Sequence, residues 1–230
     1  MTFNSTLKVP TVENLLDQLF QKAADSDPSI LEAIFANAED AGGVSNDSEV
    51  SDQLANAYIP ISRELGRLLY LLVRAQGSRR VIEFGTSFGI STIYLASAIR
   101  DNGGGRVITT EMNPAKVRAA RQNLNKAGLG DLVEILEGDA LITLREIDGP
   151  IDLLLLDGWK NLYLPVLRLV EPHLRTGALI IADDLNVFPE AHQPYLNYVR
   201  SRENDYLSVE IPLGDHIEVS MSIRPSQFAV

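Results

Sequence analysis

From Arg79 onward the chain repeats one unit, a strand-length apolar run followed by a turn and a helix-length amphipathic stretch. Strands are predicted at 81–84, 106–110, 132–136, 151–156 and 178–182, with helices near 90–100, 114–127, 139–146 and 162–173 between them. The strand runs are apolar nearly throughout, not alternating, which suits strands buried on both faces. Such alternation predicts a parallel sheet with helices on each side. A further helix near 190–203 precedes runs at 207–212 and 217–223, and the turn at Gly214-Asp215 between them predicts an antiparallel hairpin at one sheet edge. The expected fold class is α/β, with a seven-stranded, mostly parallel sheet and helices on both faces.

Residues 1–76 are expected to form a helical extension that covers a substrate pocket, and residues 77–230 the ligand-binding domain, the two making one compact unit. A first helix opens near Thr11, with Leu15, Leu16, Leu19 and Phe20 at helical spacing. A second is expected from Pro28 to about Ala38, then a loop cover at 39–51 with Gly42 and Gly43, then a helix over 62–76 with Leu65, Leu68, Leu69 and Leu72 on one face.

Composition narrows the partners. A formal charge of −11 and a pI near 4.7 argue against nucleic acid or an anionic membrane. The hydrophobic fraction is 45% and the mean hydropathy +0.01, and no apolar run approaches the ~20 residues of a membrane span. The sequence has no cysteine, which excludes disulfides, thiolate metal sites and cysteine nucleophiles. The N-terminus lacks the charged and apolar regions of a secretory signal, so a cytoplasmic location is expected.

Two strand ends carry carboxylates: Leu-Leu-Leu-Leu-Asp157-Gly-Trp159-Lys160 and Ile-Ile-Ala-Asp183-Asp184. In an open parallel sheet the C-terminal strand ends form the rim where ligands bind. Asp157, Asp183 and Asp184 gathered there offer oxygen ligands to a hard cation such as Mg²⁺, with Lys160 beside them as base or charge partner. Strand-end aspartates also cap helices, and the pairing of both clusters with a lysine favours the site. The first strand ends in Glu83-Phe84-Gly85-Thr86-Ser87-Phe88-Gly89, a glycine turn opening a helix, and Glu111 follows the second strand where an acid accepts hydrogen bonds from ribose hydroxyls. The dinucleotide fingerprint GxGxxG is absent.

The runs VIEFGTSFGISTIYLA, VITTEMNP, LLLLDGWKNLY and GALIIADD, in that order, resemble the cation-dependent S-adenosylmethionine O-methyltransferases, the group holding the catechol and caffeoyl-CoA enzymes. The resemblance implies a Rossmann-like class I methyltransferase fold with S-adenosylmethionine as cofactor and Mg²⁺, or another divalent cation such as Mn²⁺ or Ca²⁺. It implies that Glu83 and Gly85 lie along the methionine part with Ser91 on its carboxylate, that Glu111 holds the ribose, and that Met112, Asp139 and Ala140 hold the adenine, with Ile61, Thr86, Asp157 and Trp159 also touching the cofactor. Asp157, Asp183 and Asp184 fall on the metal ligands and Lys160 on the catalytic lysine. Ile59, Trp159, Lys160, His216 and Glu218 fall around a small phenolic substrate, and a homodimer is expected.

Three positions depart from the family pattern. Asp184 stands where the family usually has Asn, His216 where it usually has Gly, and Gly158 where it has a larger residue, which predicts a roomier adenine pocket. Tyr58, Phe88 and Trp159 are candidates to line a planar pocket. A nicotinamide-dependent oxidoreductase is disfavoured by the missing third glycine. A non-catalytic cofactor-binding protein would be expected to have lost Lys160 or an aspartate, and a macromolecular methyltransferase would need a basic surface.

Overall fold

The structure, a computed structural model, describes residues 5–40 and 52–225. The cover expected at 39–51 falls outside them from residue 41 on. Residues 39 and 40 end the first helix.

That helix, α1 (Pro10–Asp40), is continuous over 31 residues where two helices were expected. Pro28 lies inside it and removes one N–H from the ladder. The chain stays helical there, and the hydroxyls of Ser26 and Ser29 donate to Lys22 O (2.8 Å) and Ser26 O (3.0 Å). The helix starts at Pro10, a residue suited to the first helical position, so Thr11 lies within the first turn and does not open it. Next, α2 (Arg63–Gln76) is capped by Ser62, whose side chain accepts from Leu65 N, and ends at Gly77 with φ 64°.

The alternating region follows the predicted order. It runs β1 (Arg80–Phe84), α3 (Ile90–Asp101), β2 (Arg106–Glu111), α4 (Pro114–Lys126), β3 (Val133–Glu137), α5 (Ala140–Thr143), β4 (Ile151–Leu156), α6 (Tyr163–Val170) and β5 (Leu174–Ala182). Then come α7 (Gln193–Arg200), β6 (Tyr206–Ile211) and β7 (Ile217–Ser222). The helix expected over 139–146 is a single α-turn followed by a 3₁₀ turn at Leu144–Glu146, and the one expected over 190–203 is shortened to α7.

The seven strands form one sheet in the order β3-β2-β1-β4-β5-β7-β6. The first five are parallel, β7 pairs antiparallel with β5, and β6 and β7 form the predicted hairpin. Two apolar layers sandwich the sheet. One joins Val12, Leu16, Leu65 and Leu69 of α1 and α2 to α3, α4 and the sheet, so the N-terminal helices share the domain's core. The other packs α6 and α7 on the opposite face through Val166, Leu167, Tyr195 and Val199. Strand order reverses between β1 and β4, and the crevice at their carboxyl ends is where such sheets bind ligands.

Candidate active site

The turn after β1 is shaped by close backbone approach. Gly85 has φ 107°, and a Cβ there would lie 2.3 Å from the carbonyl oxygen of Asp157. Asp157 N in turn donates to Phe84 O at 2.9 Å, so the ends of β1 and β4 are joined through backbone. Ser87 and Gly89 also have positive φ, 46° and 84°, and α3 then opens with Ile90 and Ser91.

Glu83 is wholly buried beneath this turn. Thr92 Oγ1 donates to its Oε2 at 2.5 Å, while Oε1 is left without a well-formed hydrogen bond. Burial pushes its pKa up, and the hydroxyls of Ser91, Thr109 and Thr92 pull the other way. A buried acceptor with spare capacity fits the ammonium group of a bound amino acid. Ser91 is buried at the helix start. Thr86 Oγ1 is bonded to Thr109 Oγ1 (2.6 Å) and Thr110 O (2.9 Å), so its hydroxyl pegs the turn to β2.

Glu111, at the end of β2, accepts from Ser87 N and Asn113 N, both at 2.8 Å, one on each oxygen. Each oxygen keeps a lone pair for a further donor. Met112 follows, half-buried. After β3, Asp139 caps α5 by accepting from Leu141 N at 2.8 Å, and Ala140 is buried behind it. Ile61 is buried in the core at 4% exposure, whereas Ile59, with φ 41°, is 40% exposed. The backbone of Tyr58 and Ile59 is held by Asp27 of α1, which accepts both N–H groups at 2.9 and 2.7 Å.

The carboxylates converge as their strand positions required. Asp157, Asp183 and Asp184 each present an oxygen within 4.8 Å of the others. Asp183 N donates to Leu156 O across β4 and β5, and Asp184 has φ 59°, a region aspartate enters more readily than most residues. Burial, then its carboxylate neighbours, pushes the pKa of Asp157 well up, and burial beside Asp184 raises that of Asp183 to about 7. This is a concentration of negative charge short of positive partners. All-oxygen donors with spare charge fit a hard divalent cation.

Lys160 supplies the one cation bonded to the cluster among the described residues. Its Nζ donates to Asp184 Oδ2 at 2.9 Å and to Tyr163 OH at 2.8 Å, and Tyr163 donates onward to Asp183 O at 3.0 Å. The negative charge that Asp184 adds, relative to the Asn usual in the family, is therefore met by Lys160. Trp159 is half-buried and packs on the layer of α6.

On the substrate side, Glu218 is the second residue of β7, opposite Ala182, and its side chain is fully buried and gripped by Arg200, whose Nε donates to Oε1 at 2.8 Å and Nη2 to Oε2 at 2.5 Å. Both oxygens serve this pair with α7, so the carboxylate is committed to a contact within the protein. Gly158 does not open the adenine pocket, because a Cβ there would meet the Phe84 ring at 2.6 Å and the space is already filled. His216 lies on the rim with φ 64°, its Nδ1 2.7 Å from Glu210 Oε1, and its carbonyl accepts from Leu185 N beside the carboxylate cluster. Tyr58 and Phe88 stack on each other at 3.9 Å, which spends one face of each. Asp27 and Tyr163 were missed. Asp27 carried no signal beyond its place in a polar stretch, and Tyr163 lay three residues after Lys160, one helical turn on.

Residues 82–185 match a family described as a methyltransferase domain. The catechol O-methyltransferase of Mycobacterium tuberculosis is 38% identical over 136 residues, covering 59% of this chain and 61% of that protein, so the chain spans less than two thirds of that relative. The catechol O-methyltransferase of Niastella koreensis is 32% identical over 165 residues, covering 68% of this chain and 74% of that protein. Among solved structures, an O-methyltransferase from Bacillus cereus in complex with SAH superposes with a TM-score of 0.64 at 26% identity, over 78% of this chain and 92% of that one. The matched residues 82–185 include the glycine turn, Lys160 and the acidic cluster, and the chain belongs to the catechol O-methyltransferase family of S-adenosylmethionine-dependent methyltransferases.

Proposed function

We propose that this protein transfers a methyl group from S-adenosylmethionine to one hydroxyl of a catechol-like small molecule, with a divalent cation held by Asp157, Asp183 and Asp184. The observation that carries the reading is the convergence of those carboxylates, within 4.8 Å of one another, on a lysine and a nucleoside-type turn. The names of the relatives support the substrate class.

S-adenosylmethionine supplies an electrophilic methyl on a sulfonium. A divalent cation supplies a Lewis acid that lowers the pKa of a neighbouring hydroxyl, which matters because a free phenol has a pKa near 10. The chain's own residues do the rest. Gly85 and the carbonyl of Asp157 fix the donor and acceptor halves against each other through backbone, so the reacting atoms meet without a costly search. The acceptor oxygen attacks the methyl carbon, the carbon–sulfur electron pair leaves to sulfur, and the hydroxyl proton is taken by Lys160 Nζ in its neutral amine form, which becomes the ammonium. Tyr163 holds that nitrogen in place. Glu83 and Glu111 orient the two ends of the cofactor.

The test is a methylation assay over vicinal diphenols and matched monophenols, with and without Mg²⁺. Turnover of diphenols only, and only with the cation, is expected. Equal turnover of monophenols would overturn the substrate class.

A further inference from the structure

Lys116 occupies a place where a lysine is costly. It is the third residue of α4, where the positive end of the helix dipole disfavours a cation, and it is 7% exposed. A buried ammonium normally has an ion-pair partner. Lys116 makes no ion pair among the described residues. Its hydrogen bond there is from Nζ to Ser87 Oγ at 3.2 Å, and its Nζ lies 5.7 Å from the Phe88 ring centroid. An ammonium has three donors, so two are left unused.

The surroundings say what those donors face. Ser87 is the turn residue whose N–H holds Glu111, and its hydroxyl donates to Tyr58 O. The carboxylates that act on the Lys116 charge are Glu111 first, then Asp27 and Asp157, and burial pushes its pKa down. The ammonium is thus bonded to the turn residue whose N–H holds the acid placed for the ribose. Glu111 takes hydrogens from ribose hydroxyls, and the same hydroxyl oxygens can accept hydrogens from an opposing donor.

We infer that Lys116 is a further cofactor-binding residue, its Nζ donating to the ribose hydroxyl oxygens opposite Glu111. The inference rests on the reading of this groove as the S-adenosylmethionine site. It explains why a cation is kept at a helix start with a single internal hydrogen bond.

The experiment is calorimetric binding of S-adenosylhomocysteine and of 5′-methylthioadenosine, which keeps the ribose but lacks the amino-acid carboxylate, to the wild type and to Lys116→Met and Lys116→Gln. Loss of a charge-assisted hydrogen bond predicts affinity about tenfold or more weaker for Lys116→Met, by the same factor for both ligands. Lys116→Gln, which keeps a neutral donor, should fall between, and it stands in if the Met variant does not fold. The Tm of Lys116→Met should hold or rise, because a buried cation has left a helix N-terminus. Unchanged affinity overturns the inference, and so does a loss confined to S-adenosylhomocysteine, which would assign Lys116 to the carboxylate. A fall in Tm that tracks the loss of affinity would make the residue structural and overturn it too. If the wild type binds neither ligand, the reading of the groove fails first and the inference with it.

Discussion

Lys160 offers the sharpest test, because its fold role and its chemical role separate. In Lys160→Ala the Asp184 carboxylate loses a cation at 2.9 Å and Tyr163 loses its donor at 2.8 Å. The side chains of Lys160 and Asp184 are 10% and 24% exposed, so the pair is neither a surface bridge worth about 0–1 kcal/mol nor a sealed one whose breakage costs about 3–5 kcal/mol. A loss of about 1–3 kcal/mol follows, which for a chain of this size is roughly 2–12 °C in Tm. Removing a base should lower kcat by about 10²–10⁴-fold, far beyond what that stability loss can produce in a protein still folded at 25 °C. Adding Mg²⁺ should raise the Tm of Lys160→Ala more than that of the wild type, because Asp184 is then free for the cation. Lys160→Arg keeps the charge but is a poor base. Methylation rates across catechols of decreasing phenolic pKa, paired with thermal melts with and without Mg²⁺, read both effects, and the deficit should shrink as substrate pKa falls. Near-normal turnover by Lys160→Arg at pH 7 would refute the base assignment, and an equal Mg²⁺ response in Lys160→Ala and wild type would refute the shared carboxylate.

Chelation with EDTA should abolish turnover and Mg²⁺ or Mn²⁺ restore it, while calorimetry shows S-adenosylhomocysteine still binding; full activity in chelator would remove the cation from the mechanism. Glu111→Ala should weaken cofactor binding by about 1–3 kcal/mol without altering the cation requirement, and unchanged affinity would displace the ribose assignment. Gly85→Ala should destabilise by about 3 kcal/mol or more, since the new Cβ would lie 2.3 Å from Asp157 O at a φ of 107°; a denaturant melt matching wild type would show that the strand ends are not locked. Arg200→Met strands a buried carboxylate and should cost about 3 kcal/mol, with the surviving folded enzyme keeping its KM for the acceptor. A raised KM with unchanged stability would place Glu218 in the pocket.

Much of the fold could be read directly because its strands are buried on both faces and so appear as uninterrupted apolar runs. The parallel sheet, the hairpin and the convergence of Asp157, Asp183 and Asp184 follow from that pattern. What local patterns missed was decided by tertiary contacts. Pro28 reads as a helix start, yet α1 runs on through it, anchored in the core on its N-terminal side by Val12, Leu15, Leu16 and Leu19. Glu218 sits at the right place in chain order, but its carboxylate is paired with Arg200 of α7, eighteen residues earlier, a contact that no local pattern shows. The burial of Lys116 had a faint trace, since it shares a helical stripe with Ala120, Asn123 and Leu124. A charged residue in such a stripe is easily dismissed as solvated.

The contact between Gly85 and the Asp157 carbonyl has a consequence for how substrate range can change. On the proposed function, donor and acceptor halves hang from adjoining strand ends whose spacing is a backbone property, untouched by most side-chain replacements. Side chains on the rim, such as Ile59 and His216, lie outside that contact. An engineer seeking new acceptors can therefore randomise the rim while the distance of methyl approach stays constant, and libraries that touch position 85 should be mostly dead whatever acceptor is offered.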